Sequence, residues 1–164
     1  MKYLSVLFIM FSFSCCAQNC QQKNYITPNE LIGIWQADNN EESSAWFDVY
    51  RFFDNGKFIF NPNQYDGLKR VLSITGKYRI VDNYLYLKIN STTEIVGGYI
   101  VRSTITVFSD SWEIEGGEIK EFEHPNIDEE VVKVQQYQID ASNEISIILD
   151  NRKYYKMQSD PTKY

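Results

Sequence analysis

The chain is predicted to be all-β: an antiparallel up-and-down barrel of about eight to ten strands, led in by a short N-terminal helical turn. Three observations carry this. Aromatic residues make up 15% of the 164-residue chain, with 12 Tyr and 10 Phe, and β-branched residues are frequent, a composition that fits pleated, half-buried surfaces. The apolar residues fall in short alternating runs broken by turn residues, with no helical stretch of about ten or more. The runs also sort into one apolar and one polar face when folded into hairpins.

The elements follow in order. "TPNEL" sets Thr27 as an N-cap, Pro28 at the first helical position and Glu30 three residues after the cap, a capping-box spacing that predicts one helical turn. Strands are expected near 32–38, 45–53, 57–61, 70–81, 84–90, 99–108, 111–115, 118–123, 131–140, 144–149 and 153–158, of which about eight to ten should survive as separate strands. In "VYRFFDNGKFIF" a two-residue Asn55-Gly56 turn would pair Arg51 with Phe60 and spoil the aromatic face. A three-residue loop, Asp54-Asn55-Gly56 with Gly56 left-handed, pairs Phe52 with Phe58 and Tyr50 with Phe60 instead. In "GKYRIVDNYLYLKI" an Asp82-Asn83 turn pairs Ile80 with Leu85, Tyr78 with Leu87 and Gly76 with Ile89, leaving Lys77, Arg79, Tyr86 and Lys88 outside. In "WEIEGGEIKEF" a Gly116-Gly117 turn is expected to pair Ile114 with Ile119 and Glu113 with Lys120. Successive hairpins with one apolar face must bury it, and closure on themselves does so without a long crossover.

Ahead of the domain, residues 1–14 carry Lys2 and then an apolar run from Leu4 to Phe13. That run is shorter than the ~20 residues a transmembrane helix needs and has the form of a signal peptide. All three cysteines follow at once, in "FSFSCCAQNC". Ser14-Cys15 resembles the lipobox of bacterial lipoproteins, which implies lipidation of Cys15, with Cys16 as the alternative. A soluble protein secreted after cleavage at Ala17 is the competing reading. Residues 15–26 then form a lipidated tether, 27–158 the barrel and 159–164 a C-terminal tail. No cysteine occurs from residue 21 onward, so no disulfide framework supports the domain.

Within the domain, "LIGIW" places Gly33-x-Trp35 at the first strand, after the helical turn. With "YRFFDNGKF" and "GKYRIVDNYLYL", this resembles the lipocalin-like domain lipoproteins of the Bacteroidetes type over residues 27–90. The resemblance implies a lipocalin-like barrel in which Trp35 lies inside the closed end, covered by an Arg from a late strand, for which Arg152 is the candidate. It also implies an outer-membrane lipoprotein, expected on the periplasmic face because no acidic cluster follows Cys15.

Several chemistries are excluded from the expectation. The formal charge of −6 and pI near 4.8 leave no basic face for nucleic acid. The single histidine, His124, stands beside Pro125 and far from the cysteines. That gives neither a zinc set nor a triad, and no Gly-x-Ser-x-Gly elbow is present. Grouping His124 with Asp128, Glu129 and Glu130 has no metal-ligand spacing to support it, and 39–44 and 126–130 read as solvated acidic loops. No enzyme, cofactor or metal is therefore expected. The face shared by Tyr50, Phe52, Phe58, Phe60, Tyr78, Ile80, Leu85 and Leu87, with Trp35, is the candidate lining for a small apolar or amphipathic ligand, the Tyr hydroxyls inside a barrel favouring a ligand. The alternative is a solid barrel, since eight strands enclose little more than their own side chains. It would act as an interaction or inhibitor module whose acidic loops dock on a basic envelope partner.

Overall fold

The computed structural model describes residues 21–23, 25–38, 40, 47–64, 66–103, 111–140 and 143–163. Residues 1–14, expected as a signal peptide, Cys15, Cys16 and Cys20, and most of the acidic stretch 39–44 lie outside them. Strand β1 (Gln21–Lys23) precedes helix α1 (Pro28–Leu31). The helix starts as its sequence dictates: the Glu30 N–H donates to Thr27 Oγ1, and the Thr27 N–H donates to Glu30 Oε2 at 2.9 Å. Leu31 on its inner side is fully buried.

Nine further strands follow: β2 (Gly33–Ala37), β3 (Val49–Phe52), β4 (Lys57–Asn61), β5 (Val71–Val81), β6 (Tyr84–Arg102), β7 (Trp112–Glu123), β8 (Glu130–Ile139), β9 (Ile145–Leu149) and β10 (Arg152–Gln158). Every pairing is antiparallel. Strands β2 to β6 pair in sequence, β6 pairs with β8, and β8, β9 and β10 lead back to β2. Eight strands thus close an up-and-down barrel, as the alternating pattern predicts.

The closing seam is short. Strands β6 and β8 share only the ladder from Tyr84↔Lys133 to Leu87↔Glu130, and beyond it they part. β7 covers the departing edge of β6 and β1 covers that of β8, so the backbone groups at the split find partners.

Two predicted hairpins form in the expected register. Phe52 pairs with Phe58 and Tyr50 with Phe60, around a left-handed Gly56 at φ +75°. Ile80 pairs with Leu85, Tyr78 with Leu87 and Gly76 with Ile89. The third does not form. Gly116-Gly117 lies inside the continuous strand β7, and the expected strand 84–90 continues without a break into residues 99–102 as one strand, β6, while 104–108 of the expected 99–108 lie outside the described residues. Ile119 faces Ile95, Ile114 faces Ile100, Lys120 faces Glu94 and Glu113 faces Val101. The cause is a second glycine pair. Gly97-Gly98 opposes Gly116-Gly117, and Gly97, Gly98 and Gly116 take φ of +74°, +77° and +73°. Two facing pairs can bend a ribbon without ending it, and the long β6–β7 ladder satisfies more backbone groups than a four-residue hairpin would.

The core is one contiguous cluster inside the barrel, running from Ile26, Leu31 and Trp35 to Leu149 and Tyr154. Strand β2 is buried along its whole length.

Candidate functional site

The end of the barrel nearest α1 is built around Trp35. Its indole N–H donates to the Leu31 carbonyl at 2.7 Å, and the side chain is fully buried. The cation over the ring is Lys156, with Nζ 5.3 Å from the ring and bonded to the Glu30 carbonyl at 2.7 Å. This corrects the assignment of Arg152 to that position. The β10–β2 register sets Lys156 opposite Trp35 and Tyr154 opposite Ala37, which carries Arg152 past the far end of β2. Burial holds the Lys156 ammonium below its ordinary pKa, partly offset by Glu30.

The expected lining residues share one cluster. Trp35, Phe52, Phe58, Leu85 and Leu87 are buried, and Tyr50, Phe60, Tyr78 and Ile80 are half-buried and packed against them. Tyr50 is the hub of the aromatic wall, its ring centroid 4.5 Å from Phe60, 5.3 Å from Phe52 and 5.5 Å from Tyr154. Such pairs add about 0.5–1.5 kcal/mol each beyond area burial. Tyr78 donates its hydroxyl to the Phe53 carbonyl at 2.8 Å and meets Phe52 edge-on.

Away from α1, the wall turns polar. Arg152 donates to Asp38 at 2.7 Å and 3.0 Å and also pairs with Asp48, and these bonds hold its guanidinium firmly charged. Burial, against the pull of Arg152, pushes the Tyr154 phenol up to about 12. Burial chiefly, then Tyr154, Glu130 and Asp48, raise Tyr50 further. Both phenols therefore stay protonated donors at neutral pH. Tyr154 was missed in the sequence, while Arg152 was expected over Trp35 and Glu130 in a solvated acidic loop. Their only signal was the two-residue period of β10 and β8, which becomes informative once register is known.

Two hollows lie in the wall where β5 and β6 shift register between Thr75 and Gly76, opposite Ser91 and Ile89. One, of about 470 Å³, is lined by Phe53, Phe58, Ile59 and Gly76 among others. Its neighbour, of about 460 Å³, is polar and includes Lys88, Glu121, Glu123 and His124. There His124 Nε2 lies 3.0 Å from the Thr92 hydroxyl, while Glu129 is engaged by Arg79 at 2.6 Å. Among the described residues no group of three His, Cys, Asp or Glu side chains is placed to hold a metal. Comparison with protein-family models, with curated proteins and with solved structures found no match to this chain.

Proposed function

We propose that the protein is an exported lipoprotein, anchored through Cys15, whose lipocalin-like barrel binds a small amphipathic molecule. The observation that supports this reading most is the uneven burial of the inner wall. Trp35, Phe52, Phe58, Leu85 and Leu87 are solidly packed, whereas Tyr50, Tyr78 and Ile80, which stand opposite Trp35, Leu87 and Leu85, and Phe60 beside Tyr50 retain accessible surface although they pack on the same core. An apolar body would lie on Phe60 and Ile74, which oppose each other across β4 and β5, and a polar head would meet the Tyr50 and Tyr154 hydroxyls beside Arg152. Apolar walls with a few convergent polar groups are the usual make-up of small-molecule sites.

The test is titration of the purified mature protein with a fluorescent amphiphile such as anilinonaphthalene sulfonate, paired with native mass spectrometry. One saturable site is expected, closed by Phe60→Trp and weakened about five- to tenfold by Tyr50→Phe, the worth of one hydrogen bond. A native mass without adduct, together with binding that Phe60→Trp leaves unchanged, would favour the solid barrel. The fully buried Trp35 end is the observation that keeps that alternative, a periplasmic interaction module, in view. For the anchor, Cys15→Ser should move the protein out of the detergent phase.

A further inference from the structure

Among the described residues the sheet ends on β7, which pairs with β6 and with no other strand. Which backbone groups of β7 face outward follows from β6. Ile95 gives its N–H to the Arg70 carbonyl at 2.8 Å, and its own carbonyl accepts from the Arg70 guanidinium at 3.0 Å, both on the side away from β7. In an antiparallel ladder, opposed residues turn their N–H and C=O the same way relative to the pair. Ile119, opposite Ile95, therefore points both groups out of the sheet edge. At the two-residue period so do Glu121 and Glu123, while the Gly116-Gly117 bend shifts the alternation towards the tip, where the Ile114 N–H points outward.

This edge is bare. All residues from 115 to 123 are exposed, with Ile119 at 68% and Phe122 at 40%. Edges are ordinarily blunted by Lys, Pro or a cover. Here β7 holds Glu113, Glu115, Glu118, Glu121 and Glu123 against one Lys120 and no Pro. The inner half of the tip is occupied, since the Ile114 N–H donates to the Gly67 carbonyl at 3.1 Å, which leaves 119–123 as the available template. The acidic side chains decide the occupant. Two copies meeting edge to edge would set glutamate against glutamate, whereas an extended basic chain would be drawn in and paired.

We propose that the 119–123 edge of β7 accepts an extended, basic segment of another polypeptide as an added strand, its alternate apolar side chains resting beside Ile119 or Phe122. This is a function separate from the barrel interior.

The experiment is fluorescence anisotropy on the full mature protein at low salt, with a labelled peptide of about eight residues alternating Lys and Val. Saturable binding is expected, and none with a Glu/Val peptide. Methylating alternate backbone nitrogens of the peptide, which keeps every charge but removes the ladder donors, should weaken binding about tenfold or more. Ile119→Pro, which removes an outward N–H, should do the same, as should Gln at 115, 118, 121 and 123 together. The methylated peptide tests the ladder without altering the protein, so a poorly folded proline variant does not blunt the result. Equal binding of methylated and unmethylated peptides would overturn the proposal in favour of charge alone. A dimer in sedimentation that Ile119→Pro dissolves would overturn it in favour of a second copy.

Discussion

Gly33 explains why the Gly-x-Trp pair has the form it does. Its φ of +134° is one that side chains rarely adopt, and a Cβ there would stand 2.3 Å from the Gln158 carbonyl oxygen. Neither obstacle can relax without moving β10, so Gly33→Ala should cost about 2 kcal/mol or more. Urea unfolding measures it, and a loss below about 0.5 kcal/mol would mean that β10 yields freely. The phenols make a second prediction. Tyr154 titrates from 10.0 in the unfolded chain to about 12 in the barrel, and Tyr50 is raised in the same sense. The folded state therefore holds more protons in that window, and their contribution is complete below pH 10 and lost as pH climbs towards 12. Lys156 acts oppositely, its lowered pKa adding stability as pH rises towards 10.5. Tyr154→Phe should thus flatten the alkaline fall in unfolding free energy; an unchanged slope would place the titration elsewhere. Trp35 was legible in the sequence, but its covering cation was not. Arg152, Tyr154 and Lys156 all fall on one face of β10 by alternation, and only the register with β2 selects Lys156.

At the level of elements, legibility depended on whether a turn signal had one meaning. Asp54-Asn55-Gly56 and Asp82-Asn83 lie between runs whose alternation admits a single clean register, and both hairpins could be read. Gly116-Gly117 was ambiguous: left-handed glycines serve a hairpin turn and a bend in a through-going ribbon equally well. What resolves it is the facing pair Gly97-Gly98 and the matched isoleucines, Ile95 with Ile119 and Ile100 with Ile114, a correspondence visible only across a long loop. The bend makes a paired prediction. Gly116 sits at φ +73° with open space around a would-be Cβ, so Gly116→Ala carries only the conformational cost, about 1–2 kcal/mol. Gly117→Ala instead carries a steric cost, because its Cβ would stand 2.3 Å from Ile95 Cγ2, the branch methyl of a side chain stiff at χ1. Amide exchange across 114–119 should therefore speed about 5- to 30-fold for Gly116→Ala, and adding Ile95→Ala should relieve Gly117→Ala while leaving the Gly116→Ala effect in place. Relief of both would mean that the ribbon is held by contacts at Ile95 rather than by its backbone bend.

For the whole molecule, the question is how far the ribbon contributes to the barrel it grows from. Closure runs through β2 to β6, β8, β9 and β10, and beyond Glu94 no residue of β6 or β7 takes part in the pairings that close it. The outer ribbon touches the rest through the Gly67–Ile114 bond and the Arg70 bonds to Ile95 and Gly97. Its shape suggests a direct excision. Gly97 and Gly117 are already opposed, and Gly98 and Gly116 between them hold φ of +77° and +73°, both in the region that a tight two-residue hairpin turn demands. Deleting 99–115 should leave Gly98-Gly116 as that turn and the barrel whole. One cooperative thermal transition is expected, its midpoint within about 4 °C of the intact chain, the shift that a change of roughly 1 kcal/mol gives at this size. Leu85→Ala is the contrast, because Leu85 is fully buried at the four-pair seam, where a large-to-small change costs about 2–5 kcal/mol. A deletion as damaging as Leu85→Ala would show that the ribbon braces the closure, and the barrel would then have to be regarded as ten strands folding together rather than eight carrying two.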